Sequence, residues 1–125
     1  MNRVLLDTDI LSYFFKGNKK VISHVEKYLM VFDVIEFSLI TYYEIMSGLL
    51  ACNAEKQLSV FENFAKDNLI IPVTESSAKR SSKLYASLRK TGSMVDDIDL
   101  LIAGIAIEND MILVTNNEKH FKRIP

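Results

Sequence analysis

Apolar residues in this chain fall into two kinds of pattern, and the two alternate. Val4-Leu5-Leu6, Val34-Ile35-Glu36-Phe37-Ser38, Leu69-Ile70-Ile71 and Met111-Ile112-Leu113-Val114 are short runs of strand length, bounded by polar residues or by Pro72. The stretches between them have helical spacing. Ile10 to Phe15 predicts a short helix that begins near Ile10 and stops at Gly17-Asn18. Val21, Ile22, Val25, Tyr28 and Leu29 then share one face of an amphipathic helix, with Lys19, Lys20, Glu26 and Lys27 outside it. After a polar break, Thr41 to Glu44 has the spacing of a capping box that opens a third helix. Asn53 is placed to cap a fourth, whose stripe is Leu58, Phe61, Phe64 and Ala65. A serine-rich helix follows from Thr74 to about Lys90, with Ala78, Tyr85 and Leu88 as a thin apolar side and Gly92 as its stop. From Leu100 to Ile107 the chain is apolar all round, which predicts an interior helix leading to the fourth strand, buried like the others.

Strand and helix alternating four times predicts an α/β fold of three layers (α/β/α), with a central parallel sheet of four to five strands, in a single domain over residues 1–125. The first strand, apolar until it stops at Asp7, is of the kind found centrally in such sheets.

Composition narrows the class. With 49% of residues hydrophobic the chain can bury a core, which excludes disorder. A net charge of −1 argues against gripping nucleic acid through bulk positive potential and leaves room for local grip. The lysines and arginines at 16, 19, 20, 79, 80, 83, 89, 90, 119, 122 and 123 read mostly as solvated surface. One cysteine, Cys52, cannot form an internal disulfide and reads as a helix-end packing residue. His24 has no partner spacing for zinc, so it reads as a packed or surface residue. No apolar run approaches the roughly 20 residues that span a bilayer. A soluble, cytoplasmic protein with no membrane partner is expected.

The candidate chemistry is carboxylate chemistry. In open α/β sheets ligands bind outside the carboxyl ends of the strands, where Asp7 and Asp9 stand. Either could instead cap the helix after it. Glu44 has a capping role open to it as well, set against the bare turn that Gly48 leaves four residues on. Helix dipole and free amides account for one of Asp96 or Asp97. They account less well for Asp99, which shares a face with Ile102, Ala103 and Ala106. Thr115-Asn116-Asn117 would lie beside Asp7. Asp7, Glu44 and Asp99 gathered at one sheet edge would repel one another without a divalent cation, and oxygen ligands point to Mg2+ or Mn2+. Such a site activates water and offsets charge on a phosphodiester, which is nuclease chemistry.

Leu6-Asp7-Thr8-Asp9, Thr41 to Glu44 with Gly48, Gly92 with Val95, Asp99 to Gly104, and Val114 to Asn117 with Phe121 resemble the PIN domain, and most of all the VapC-type toxins of toxin-antitoxin modules. The order and spacing of these motifs carry the resemblance across essentially the whole chain. It implies a magnesium-dependent endoribonuclease acting on transfer RNA or other structured RNA, commonly a homodimer, held inactive by a small VapB-type antitoxin. It also implies Asp7, Glu44 and Asp99 as the metal-binding acids and Thr8 and Thr115 as neighbouring hydroxyls; beside that set, Asp9 and Asp97 are candidates for additional acids. Asn117 stands where many members have an aspartate, so it can only orient water or substrate. Many members continue with a further short strand, so the sheet edge is expected to be trimmed here. Under the same resemblance an antitoxin tail would lie along a groove walled by some of Phe14, Phe15, Leu49 and Leu50, with a basic residue among the three acids.

Three rivals share parts of this pattern. A haloacid-dehalogenase-like phosphatase also opens on Asp-x-Asp, but it would need a lysine and a late acidic loop, and Asp96-Asp97 lacks the usual glycine. A phosphate-receiver module fails because no aspartate ends the strand at Ile71-Pro72 and no lysine follows Val114. A catalytically idle PIN-fold binding module is disfavoured by the intact acids.

Overall fold

A computed structural model of the chain describes residues 2–116. Its elements in order are β1 (Val4–Leu6), α1 (Thr8–Phe15), α2 (Lys19–Leu29), β2 (Glu36–Ser38), α3 (Leu39–Ala51), α4 (Glu55–Asp67), β3 (Leu69–Ile71), α5 (Glu75–Thr91), α6 (Asp97–Glu108) and β4 (Ile112–Val114). The four strands pair parallel in the order β3-β2-β1-β4, which puts β1 inside the sheet as its unbroken apolar run predicts.

The alternation of side chains along β1 divides the core in two. Leu6 packs with Leu11, Val25, Tyr28 and Phe61 from α1, α2 and α4. Leu5 points the other way, onto Ile102, Ile105 and Ala106 of α6. Helices therefore cover both faces, in three layers. An aromatic cluster of Phe14, Phe15, Phe37, Phe61 and Phe64 fills the first core with mainly edge-on and tilted contacts. At the amino end of the sheet, Arg3 grips the buried Glu36 carboxylate with two nitrogens, at 2.9 and 2.5 Å.

Several local expectations are corrected. The first helix begins at Thr8 rather than near Ile10, because Asp7 caps it by accepting the Thr8 amide. No polar break separates β2 from α3. Ser38, at the strand's last position, turns extended and its Oγ accepts the Thr41 amide, so Thr41 lies inside the helix and does not cap it. The fourth helix has Ala54 at its cap position, with no side-chain bond. Asn53 instead takes a left-handed conformation at φ +53°. Cys52 caps the end of α3 but is exposed. β4 pairs only with β1 among the described residues, so Ile112 is 50% exposed and the strand is less buried than its composition suggests.

The packed side of α5 is also different. Ser77, Ser81, Leu84 and Leu88 face inward, while Tyr85 lies largely outside. The small serines let α5 lie close on α6 at Gly104, where a Cβ would stand 2.6 Å from the Ser77 carbonyl oxygen. Ser81 Oγ there donates to the Leu100 carbonyl at 2.8 Å.

Candidate active site

All four strands run the same way, so Leu6, Ser38, Ile71 and Val114 end at one edge, and the chain leaves that edge through its acids and hydroxyls. The backbone amide of Asp7 still bonds the Val114 carbonyl at 3.0 Å, which ties the first turn after β1 to the end of β4.

Asp7 is 4% exposed. Its Oδ1 accepts the Thr8 amide at 2.8 Å and its Oδ2 accepts the Thr115 hydroxyl at 2.7 Å. Burial raises its pKa above the ordinary carboxylate range. The Thr115 and Thr8 bonds oppose the rise, and the charges of Asp9 and Asp99 add to it. Asp9 is raised too, first by burial and also by Asp99, against the backbone amides of Ile10 and Asn116. Asp9 Oδ2 accepts the Asn116 amide at 3.1 Å, while its Oδ1 is buried with no hydrogen-bond partner. The carboxylates of Asp9 and Asp99 thus lie close enough to disfavour the ionisation of Asp7, and that of Asp99 also disfavours the ionisation of Asp9.

Glu44 joins them through a threonine. Thr8 Oγ1 donates to Glu44 Oε1 at 2.6 Å, so this one residue holds Asp7 with its amide and Glu44 with its hydroxyl. The capping role for Glu44 is therefore excluded: Ser38 caps α3 and Glu44 points across to α1. Among the described residues, nothing lies within 4 Å of where a side chain on Gly48, one turn further along, would begin. Asp97 is not drawn into this group. It lines a cavity against Ser81, Ser82 and Tyr85 of α5, two positions round the helix from Asp99. Asn117 and Phe121, with any strand after β4, lie outside the described residues.

Sequence reading gave no site role to Ser38 or to Thr41, both fully buried at this edge, and it placed Asn116 beside Asp7 without finding that its amide meets Asp9. The signal for Ser38 was its position three residues before Thr41, a capping spacing one turn earlier than the one that was read.

Among the described residues, no three acids close on one point tightly enough to ligate an ion directly without rearrangement. The donor set nonetheless suits a hard, hydrated cation. It offers only oxygen, it crowds like charges, and it leaves a buried carboxylate oxygen of Asp9 unpaired.

A parallel three-layer α/β fold with carboxylates and hydroxyls gathered at its carboxyl edge places the chain in the class of α/β proteins whose site lies just outside the strand ends. Within that class the chain belongs to the PIN domain family, whose model matches residues 4–125. It is 31% identical to Ribonuclease VapC1 of Methanocaldococcus jannaschii, over 98% of this chain and 82% of that protein. It is 29% identical to the tRNA(fMet)-specific endonuclease VapC of Salmonella typhimurium, over 100% and 94%. In three dimensions it is similar to the structure of VapBC2 from Rickettsia felis bound to a promoter DNA fragment, with a TM-score of 0.87 and 31% identity over 98% of this chain and 92% of that one.

Proposed function

We propose that the chain is a metal-dependent endoribonuclease and the toxin of a toxin-antitoxin pair, cleaving phosphodiester bonds in RNA, with transfer RNA as the first substrate to test. The observation that carries this reading is the Thr8 bridge, which holds Asp7 and Glu44 together at the sheet edge where Asp9 and Asp99 also crowd. The named ribonuclease relatives support it. Asp7, Glu44 and Asp99, with Asp9 beside them, would hold Mg2+ or Mn2+. When bound, the ion would lower the pKa of a water and offset charge on the attacked phosphodiester.

The protein's own part is positioning. Thr115 and the Thr8 amide occupy one lone pair on each Asp7 oxygen, which fixes the carboxylate plane and leaves its remaining lone pairs for a cation. Thr8 does the same for Glu44 Oε1. Asn117 would orient water or the RNA. Asp97, facing α5, is assigned no part in holding the ion.

A VapB-type antitoxin is the proposed partner. It is supported by the paired toxin and antitoxin in the similar structure and by an apolar groove of about 650 Å3 between α1, α3 and α4, walled by Phe15, Ile45, Leu49, Val60 and Phe61. Of the four residues expected to wall such a groove, Phe15 and Leu49 do so. Phe14 is packed in the aromatic cluster and Leu50 is exposed. A cytoplasmic homodimer completes the proposal; no helix among the described residues is long and apolar enough to cross a membrane.

The test is incubation of purified protein with total RNA, with and without Mg2+, and mapping of the new ends. Discrete cleavage that stops on chelation supports the reading, and metal-independent or absent cleavage overturns it.

A further inference from the structure

Thr8 has one hydroxyl proton and two oxygen neighbours: Glu44 Oε1 at 2.6 Å and Thr41 Oγ1 at 3.0 Å. A carboxylate only accepts, so the Thr8 proton goes to Glu44 and the Thr41 hydroxyl must donate to Thr8. Thr41 Oγ1 is in turn within reach of the Ser38 hydroxyl, at 3.3 Å, and Ser38 Oγ already accepts the Thr41 amide at 3.0 Å. The protons therefore run one way, from Ser38 to Thr41 to Thr8 to Glu44. Ser38 and Thr41 are 0% exposed, so water does not compete for these bonds. The chain of hydroxyls starts at the cap of α3, Ser38, and ends on a carboxylate nearly two turns along the same helix, Glu44, after crossing to α1 and back.

We infer that Thr41 is a positioning residue for Glu44: through Thr8 it holds one carboxylate oxygen in place and leaves the other for the cation. The inference rests on the metal-site reading of Asp7, Glu44 and Asp99. Thr41 touches neither cation nor substrate in this scheme. Its role is to give the Thr8 oxygen a donor, so that the Thr8 proton has a single direction to point.

Isothermal titration of Mn2+ into the full chain tests this without reference to cleavage. Thr41→Val, of nearly the same shape but without the hydroxyl, is expected to weaken Mn2+ binding about three- to tenfold, less than the ten- to hundredfold typical of direct partners of ligating groups. Thr41→Ser is expected to bind as the wild type does. Thr8→Val combined with Thr41→Val is expected to be no weaker than Thr8→Val alone, because one residue acts through the other. Thr41→Ala serves as a second hydroxyl-free variant should valine prevent folding. Wild-type affinity in Thr41→Val or Thr41→Ala, or losses that add in the double variant, would overturn the role of Thr41. A wild type that takes up no Mn2+, or an Asp7→Asn protein that binds it equally well, would instead remove the metal site and this inference with it.

Discussion

Asp7 holds a carboxylate in a place that disfavours its charge, and this sets the behaviour of the metal-free protein with pH. Burial, then Asp9 and Asp99, raise its pKa above the value of the unfolded chain. Between those two values the native state binds more protons than the unfolded state, so stability falls as pH rises through that window and stays lower at neutrality. Asp7→Asn removes that loss. The asparagine oxygen can still accept the Thr8 amide, and its nitrogen can turn to the Thr115 oxygen, so the cap on α1 survives. Scanning calorimetry without divalent ions should therefore find the variant's melting temperature level or higher at neutral pH, with the gap closing on the acid side. RNA cleavage should be lost. Asp99→Asn should likewise lose RNA cleavage without unfolding the protein. An Asp7→Asn protein that cleaves at the wild-type rate would make this residue structural. At this scale part was legible: Asp7, Thr8 and Thr115 stand just past strand ends and Asp99 in the first turn of α6, whereas Glu44 is the sixth residue of α3. What stayed hidden was the partner of each. Thr41 and Glu44 have the letters of a capping box, and only the placement of Ser38 decides that Glu44 is released to meet Thr8.

Between elements, α5 lies close on α6, and this contact depends on one residue lacking a side chain. A methyl at position 104 would stand 2.0 Å from Ser81 Oγ and 2.6 Å from the Ser77 carbonyl oxygen. The first of these atoms can move; the second is backbone and cannot move without the helix. Gly104→Ala should therefore cost at least the upper part of the roughly 1–3 kcal/mol usual for overpacking. Ser81→Ala in the same chain should not restore it, since Ser77 remains. Urea titration of the two variants checks this, and recovery in the double variant would place the strain in the serine alone. The helix pattern was readable for both elements, but the face of α5 was not. An apolar stripe of Ala78, Tyr85 and Leu88 leaves the serines out, whereas the small volume of Ser77 and Ser81 is what the contact with Gly104 uses. Strand order was likewise beyond a periodicity argument, except that the uninterrupted Val4-Leu5-Leu6 pointed to an inner position. The exposed Ile112 shows why apolar letters alone overstate burial at a sheet edge.

Over the whole molecule, the groove and the acids share two helices. Thr8 opens α1 and Ser12 lines the groove four residues later; Glu44 lies on α3 and Leu49 lines the groove five residues later. At 1.5 Å per residue these offsets are about 6 and 7.5 Å, so a segment seated in the groove ends within reach of the acids for an arginine or lysine side chain. Docking and inhibition are then separable. In the proposed complex, apolar contact with the groove would set affinity, while a basic side chain among Asp7, Glu44 and Asp99 would displace the cation. Val60 is 52% exposed on the groove wall, so Val60→Glu should leave folding and RNA cleavage intact while weakening antitoxin binding by about tenfold or more, the cost of facing a carboxylate toward an apolar partner. Replacing the antitoxin's basic residue with alanine should do the opposite, leaving most of the binding and releasing cleavage. Both effects are read by measuring binding and residual RNA cleavage on the same pairs of proteins. Full inhibition by the alanine antitoxin with unchanged binding would mean that the segment blocks RNA by bulk. Unchanged binding to Val60→Glu would move the docking surface away from α4.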